Sequence, residues 1–266
     1  MTIPDYTLVI GVDKGHLEQL SLVWSTWAKH KPSLLQRPII VFYNESVHIS
    51  DIHQALNPIP GKQAPLQLVR WHPDCEYIQK TPERWYNPQR QRMLAGFLHV
   101  PAKWVETEYW LKLDLDAVAT GQDDWVDPKW FEGQPAIIAS PWSYTKPANQ
   151  MLELDEWVTK FQIPGLYEHP PLNLAPVAPN VTMVRHPRIA SWCGFFRADF
   201  NKFCSEIAEE TCGKDQMPCP SQDGMLWYCA ARSHQGIKRV DMKSKGWKLC
   251  SKTKGVREAA KEAMSK

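Results

Sequence analysis

The chain has 266 residues, 43% hydrophobic and 23% charged, with a formal net charge of +2. These values are ordinary for a globular fold that buries a real core, and the near-balanced charge gives no ground for a nucleic-acid binder. No run of 18 apolar residues exists, which excludes a membrane-spanning helix, and the opening MTIPDYTLVIGVDKG has no basic segment followed by a long apolar run, so no signal peptide is expected.

In chain order, TLVIGV (7–12) is a short apolar run closed by Asp13-Lys14-Gly15 and predicts a buried strand and a loop. HLEQLSLVWSTWAKH (16–30) places Leu17, Leu20, Val23, Trp24 and Trp27 at helical spacing. RPIIVFYN (37–44) and LQLVRWH (66–72) predict second and third strands, with a weak helical candidate at 50–57. Strands separated by helices point to an α/β fold with a largely parallel sheet. Residues 73–88 read as a polar loop, and QRQRMLAGFLHV (89–100) as a helix closed by Pro101. YWLKLDLD (109–116) predicts the fourth strand and PAIIASPW (135–142) the fifth.

Residues 143–190 are Pro-rich and read as irregular, with one helix near 150–161; so long an irregular segment in a compact domain is often functional. ASWCGFFRADF (190–200) predicts a short strand entering a helix near Asp199. SQDGMLWYCAAR (221–232) predicts a helix with Ser221 as N-cap, GIKRVD (236–241) a late strand, and GVREAAKEAMSK (255–266) a basic tail, helical or frayed. No internal repeat or low-complexity linker interrupts the chain, so one domain is expected.

The seven cysteines are Cys75, Cys193, Cys204, Cys212, Cys219, Cys229 and Cys250. They are odd in number and form no CxxC, which predicts free thiols in a reducing cytosol rather than a zinc knuckle. A cytoplasmic location is expected, with peripheral membrane association left open. The 13 tryptophans suit a carbohydrate site as well as a core, and composition does not choose between them.

The chemistry concentrates in Asp114-Leu115-Asp116. Side chains alternate along a strand, so the two carboxylates are predicted to share one face, where like charges repel unless something positive lies between them. The carboxyl end of a parallel strand is where open α/β sheets bind ligands, and two carboxylates there suit a hard divalent cation with positions left for phosphate oxygens.

WLKLDLDAVA (110–119) resembles the D-x-D strand of nucleotide-sugar-dependent glycosyltransferases with the GT-A fold, and the order of elements over 5–245 is similar to theirs. The resemblance implies a single α/β domain with a mostly parallel sheet. About 1–120 would form a Rossmann-like nucleotide-sugar half, about 121–250 an acceptor half, and 251–266 a tail. It implies transfer of a sugar from a UDP- or GDP-sugar to a hydroxyl on a glycan, lipid or protein, with a glycan preferred. Asp116, and Asp114 directly or through water and ribose, would hold Mn²⁺ or Mg²⁺ on the donor diphosphate. Val12 and Asp13 would lie against base and ribose, and Arg90 or Arg92 would reach the diphosphate.

Ser221-Gln222-Asp223-Gly224 resembles the family's acidic helix start, which makes Asp223 the general base of an inverting enzyme; its alternative role is to stabilise a helix N-terminus. Trp192, Cys193 and Gly194 occupy a position like the acceptor wall, and Gly194 equally suits a bulge. For a further metal ligand, Asp241 is preferred to His234. On one continuous helix the latter would lie roughly 16 Å from Asp223. Lys243, Lys245 and Lys248 suit either the diphosphate or plain surface.

Three alternatives compete. Asp114-Leu115-Asp116-Ala117-Val118 also fits the D-x-D-x-[TV] pattern of phosphatases resembling the haloacid dehalogenase family, although those place it near the chain start. Sugar nucleotidyltransferases share the architecture, but GVDKGHLEQL lacks their Gly-rich, Arg-containing loop. A non-catalytic sugar-binding relative is the third.

Overall fold

A computed structural model describes residues 2–56, 65–71, 88–121, 123–147, 183–211, 236–250 and 252–266, with backbone only at 88–94, 141–147, 183–191 and 207–211. The helices predicted at 150–161 and 221–232 lie outside the described residues. Four parallel strands come first: β1 (Tyr6–Val12), β2 (Ile39–Tyr43), β3 (Leu66–Arg70) and β4 (Tyr109–Leu113). β6 (Ile137–Pro147), β7 (Met183–Arg197) and β8 (Ile237–Arg239) extend them into a seven-stranded sheet of order β3-β2-β1-β4-β7-β6-β8. β7 is antiparallel to both its neighbours, and the other pairings are parallel. β5 (Ala117–Ala119) leaves this sheet and pairs with β9 (Trp247–Leu249).

Helices cover both faces, which is why β1 and β2 read as nearly unbroken apolar runs. On one face Leu8, Ile10, Leu111 and Leu113 join one core with Leu20, Val23 and Trp27 of α1 (Leu17–His30). On the other, Phe42 meets Phe97 of α3 (Pro88–Trp104) edge to face, ring centroids 4.8 Å apart. That contact needs two glycines: a Cβ would stand 2.6 Å from the Phe42 ring at Gly11 and 2.3 Å at Gly96. α2 (Ile49–Ala55) appears where the weak helical signal lay.

Two boundaries move. α3 runs through Pro101 to Trp104, because proline's φ is helical and its missing N–H forfeits one bond near a helix end without stopping the chain. β6 and β7 continue into the stretch read as irregular, pairing from Ser140↔Ala190 to Pro147↔Met183. Pro141, Pro147 and Pro187 weaken the strand signal there. They are tolerated because β6 and β7 project past β4 and β8 as a two-stranded ribbon, where each strand has an edge needing no donor.

α4 (Ala198–Thr211) packs on α3, and α5 (Thr253–Ser265), within the segment read as a tail, packs on α1. The small residues Ala259, Ala260 and Ala263 with Val256 form its buried side. His30 Nε2 lies 2.8 Å from the Ala263 carbonyl, and Gln19 donates to Thr253 Oγ1. Among the described residues Trp24, Trp27, Trp110, Trp125, Trp130, Trp192 and Trp247 are buried, and Trp71 and Trp104 are half-buried. Cys193, Cys204 and Cys250 are buried.

Between α3 and α4, His99 Nδ1 lies 2.8 Å from Ser205 Oγ, and burial pushes its pKa down to about 4. Its folded pKa is below the ordinary value, so the unfolded chain binds the extra proton between about pH 6.5 and 4, and stability falls as pH falls through that window. This group contributes on the order of 2–3 kcal/mol to the acid loss. Urea unfolding at neutral pH and near pH 4.5 should show that His99→Gln flattens the slope; an unchanged slope would remove His99 from the account.

Candidate functional site

The site begins with topology. From β1 the chain steps one way to β2 and β3, then returns through α3 to β4 on the other side of β1. β1 and β4 therefore flank the topological switch point, and the crevice beyond their carboxyl ends is the place such sheets bind ligands. Val9 stands opposite Lys112, so both strands leave the sheet at one edge. Asp13 follows β1 there, and Asp114 and Asp116 follow β4. α3 follows β3 in the chain and packs on β1 and β2; Arg90 and Arg92 lie near its start, and their side chains are outside the description.

The two aspartates are not on the strand. β4 ends at Leu113, and Asp114-Leu115-Asp116-Ala117 form a turn closed by Ala117 N donating to the Asp114 carbonyl at 3.0 Å. The expectation of a shared strand face is thus corrected: the turn, not alternation, brings the carboxylates together. The turn and the strand after it are held by bonds from three segments. Asp114 N donates to the Trp192 carbonyl, 2.8 Å, and Cys250 N to the Asp116 carbonyl, 2.9 Å. Trp27 Nε1 donates to the Ala117 carbonyl, 2.8 Å, and Ala119 N to Thr26 Oγ1, 3.2 Å.

The carboxylates differ in environment. Asp114, with 35% of its side chain exposed, is ion-paired through Oδ1 to Lys112. Asp116 Oδ1 is buried without a hydrogen-bond partner. Burial, and then the Asp114 charge, push the Asp116 pKa up to about 6, against the opposing pull of Lys112 and His16. An orphaned carboxylate oxygen beside a second carboxylate fits a divalent cation with oxygen ligands. Among the described residues no three His, Cys, Asp or Glu side chains gather as a metal cage. Asp241 therefore does not join the pair; it caps the short 3₁₀ turn Met242–Lys245, accepting from Lys243 N at 3.1 Å. A cation here would complete its shell with phosphate oxygens and water, as Mg²⁺-type sites commonly do.

Asp13 caps the turn Lys14–His16, its Oδ1 accepting from His16 N at 3.1 Å and lying 2.7 Å from Nδ1. Burial acts to raise the Asp13 pKa, but the hydrogen bond and charge of His16 outweigh it and the net shift is downward. His16 is raised, first by that hydrogen bond against desolvation, with Asp13, Asp114 and Asp116 adding to it. Val12 is fully buried in the core.

Trp192 and Cys193 are buried beneath the turn. They sit at a bulge where pairing jumps from Ala139↔Gly194 to Ser140↔Ala190, which lets β7 turn the Trp192 carbonyl toward Asp114. Gly194 lies against Ala139, whose Cβ a side chain at 194 would meet at 3.0 Å. Lys245 Nζ sits 5.7 Å from the centre of the Trp130 ring, and Lys248 lies 3.5 Å from Glu262. Asp223 and His234 lie outside the described residues.

Three residues emerge only in space: Lys112, His16 and Lys31. Lys31 is buried at the end of α1, donating to the Gly121 and Lys245 carbonyls with Trp125 and Trp247 around it. Burial brings its pKa down to about 8. An apolar strand interrupted by a lysine two places before D-x-D was the available signal for Lys112; His16 and Lys31 carried none.

No protein-family model matches the chain, and no curated protein matches it in sequence. Its backbone is similar to core-mannan synthase A from Aspergillus fumigatus in its Mn/GDP form, at TM-score 0.53 and 11% identity, over 86% of this chain and 71% of that one. It is similar to the galactosyltransferase LgtC in complex with donor and acceptor sugar analogues, at TM-score 0.50 and 12% identity, over 89% and 74%. It is also similar to 4-diphosphocytidyl-2C-methyl-D-erythritol synthase from Anaerococcus prevotii, at TM-score 0.53 and 8% identity, over 98% and 99%. No helix among the described residues is long and apolar enough to cross a membrane. With its strand order and these structural likenesses, the chain has the GT-A fold.

Proposed function

We propose that this protein is a metal-dependent glycosyltransferase that moves a sugar from a nucleoside-diphosphate donor, UDP- or GDP-linked, to a hydroxyl acceptor, a glycan first, in the cytoplasm. The observation that carries the reading is the Asp114/Asp116 pair at the β1/β4 switch point, with Asp116 Oδ1 buried and unpartnered. The A. fumigatus and LgtC likenesses support it, since those structures carry Mn and GDP, and donor and acceptor sugar analogues.

In this reading Asp114 and Asp116 would hold Mn²⁺ or Mg²⁺, which would supply positive charge against the negative charge of the leaving diphosphate. The chain's own groups orient donor and acceptor. Asp13, fixed by His16, stands at the mouth of β1 for the base and ribose. Arg90 or Arg92, near the start of α3, would reach the diphosphate. Asp223 takes the acceptor's proton as the new bond forms.

The test is a thermal-shift series with UDP, GDP and CDP, with and without Mn²⁺, since a ligand of the native state raises stability by mass action. Metal-dependent stabilisation by a nucleoside diphosphate is expected, and indifference to all three with Mn²⁺ would sink the reading. Asp223→Asn is expected to keep that stabilisation and lose transfer; losing both would move Asp223 off the acceptor side.

The A. prevotii likeness supports a second reading, nucleotidyl transfer at the same edge. The absence of a Gly-rich, Arg-containing loop in GVDKGHLEQL weighs against it. Pyrophosphate release from a nucleoside triphosphate would favour it. The phosphatase alternative has no counterpart among these three similar structures.

A further inference from the structure

β6 and β7 run on past the edge of the sheet. β6 is parallel to β4 through the antiparallel β7 between them, so its residues after Ala139 project beyond the carboxyl end of β4, on the ligand-binding side. They pair with β7 from Ser140↔Ala190 to Pro147↔Met183, a ribbon about 23 Å long at the usual strand rise. Its root is tied to the candidate site, because Trp192 supplies the carbonyl that holds Asp114 N. The ribbon's charge is of one sign. It carries Lys146, Arg185, His186 and Arg188, and neither strand contains an Asp or Glu. The register sets Trp142 against Arg188 and Tyr144 against His186, so aromatic and basic residues are paired along it. β8, on the far side of β6, adds Lys238 opposite Ile138 and Arg239 opposite Ala139, just before the ribbon begins. Both are exposed, and among the described residues neither has a carboxylate partner. A chain with 31 basic and 29 acidic residues has no general excess to spread there. Guarding a free strand edge accounts for charge on β8, but on the ribbon Pro141, Pro147 and Pro187 already serve that purpose.

We infer that the acceptor is anionic: a glycan bearing carboxylate or phosphate groups, held by the β6–β7 ribbon and the adjoining β8 edge beside the β1/β4 crevice. The donor does not account for these cations, because its diphosphate belongs at the mouth of β1 and β4, and the ribbon rises from the next two places in the sheet. Cations at several spaced positions match repeated negative charge, and their summed field speeds encounter with it. Trp142 and Tyr144 are of the residue types that pair an apolar ring with a polar tip, as a sugar surface requires. A membrane surface fits less well. Among the described residues the exposed large apolar side chains are Ile49, Leu66 and Met264, none of them on β8, and interfacial binding needs an apolar face as well as charge. The inference rests on the transferase reading above.

The experiment measures, by titration calorimetry on the whole chain, binding of oligogalacturonate, of a phosphorylated maltooligosaccharide and of the same maltooligosaccharide without phosphate, at low and high salt. Cosedimentation with phosphatidylserine-containing vesicles runs beside it. The proteins are the native chain, Lys238→Glu with Arg239→Glu, Arg185→Glu with Arg188→Glu, and the conservative pair Lys238→Arg with Arg239→Lys; circular dichroism and melting curves establish that each is folded. At least one anionic glycan should bind, the neutral one should not, and high salt should weaken the binding. Each charge-reversed pair should lose at least about tenfold in affinity, and the conservative pair should keep it. Equal binding of charged and neutral glycans, binding to vesicles alone, no binding of either anionic glycan, or unchanged affinity in either reversed pair overturns the inference. If Mn²⁺-dependent stabilisation by UDP or GDP persists in the native protein, the transferase reading stands despite that. If an anionic glycan binds and no nucleotide stabilises the native protein, the transferase reading falls and takes the acceptor assignment with it.

Discussion

Asp116→Ala is expected to abolish sugar transfer and the Mn²⁺-dependent part of nucleotide binding. Among the described residues it supplies the carboxylate oxygen at the switch point that is buried and unpartnered, and the turn holding it is fixed by backbone bonds with Trp192 and Cys250 and by the Trp27 indole N–H. Among the described residues Asp241 is engaged in its own cap and Asp13 in its bond to His16, so neither is available to replace it. Removing a charge-stabilising group of this kind costs at least about 100-fold in kcat. Transfer assays with and without chelator measure it; a variant retaining full, chelator-insensitive activity would eliminate the metal role.

The same residue separates function from stability. Its folded pKa of about 6 lies above the ordinary carboxylate value. The folded state therefore keeps the proton longer, and stability declines as pH rises through that interval and stays lower above it. In metal-free buffer near pH 8, Asp116→Asn should raise stability by about 1–2 kcal/mol while destroying activity. A site whose loss stabilises the fold is one retained for binding rather than for packing. Calorimetry of both proteins in chelator provides the comparison, and a lower melting temperature for the asparagine variant would contradict it.

Gly246→Ala is expected to be among the most damaging substitutions for the fold. Gly246 ends the Met242–Lys245 turn at φ 77°, in the left-handed region. A Cβ there would stand 2.1 Å from the Gly121 carbonyl oxygen and 3.0 Å from Lys31 Nζ. The obstacle is backbone, already hydrogen-bonded to the buried lysine, so it cannot swing aside as a flexible side chain would. The Gly246 carbonyl also accepts from Thr120 N at 2.8 Å, which ties β5 to β9. Backbone strain and overpacking together cost at least about 3 kcal/mol. Urea unfolding measures the loss, and a change under about 1 kcal/mol would mean that the two turns separate easily. Because Cys250 N follows β9 and holds the Asp116 carbonyl, nucleotide binding should weaken too, although Gly246 touches no ligand.

The sequence by itself determined the chain's alternation of strands and helices through Asp116. Each element there makes its own apolar face, whose period a short window contains. It also pointed to Asp114 and Asp116 as the candidate site, because two carboxylates among Leu111, Leu113 and Leu115 have no reason to be there for packing. Three things came only from tertiary structure. That D-x-D is a turn depended on partners far along the chain, Trp192 and Cys250. That 143–147 and 183–190 pair as strands depended on the ribbon leaving its neighbours behind, which makes prolines acceptable. That Lys112 carries charge into the site depended on where Asp114 swings once the strand has ended. Local patterns report what a residue's own segment needs. Charge and hydrogen bonding at this site are settled between segments, and they are readable only once the sheet has brought those segments together.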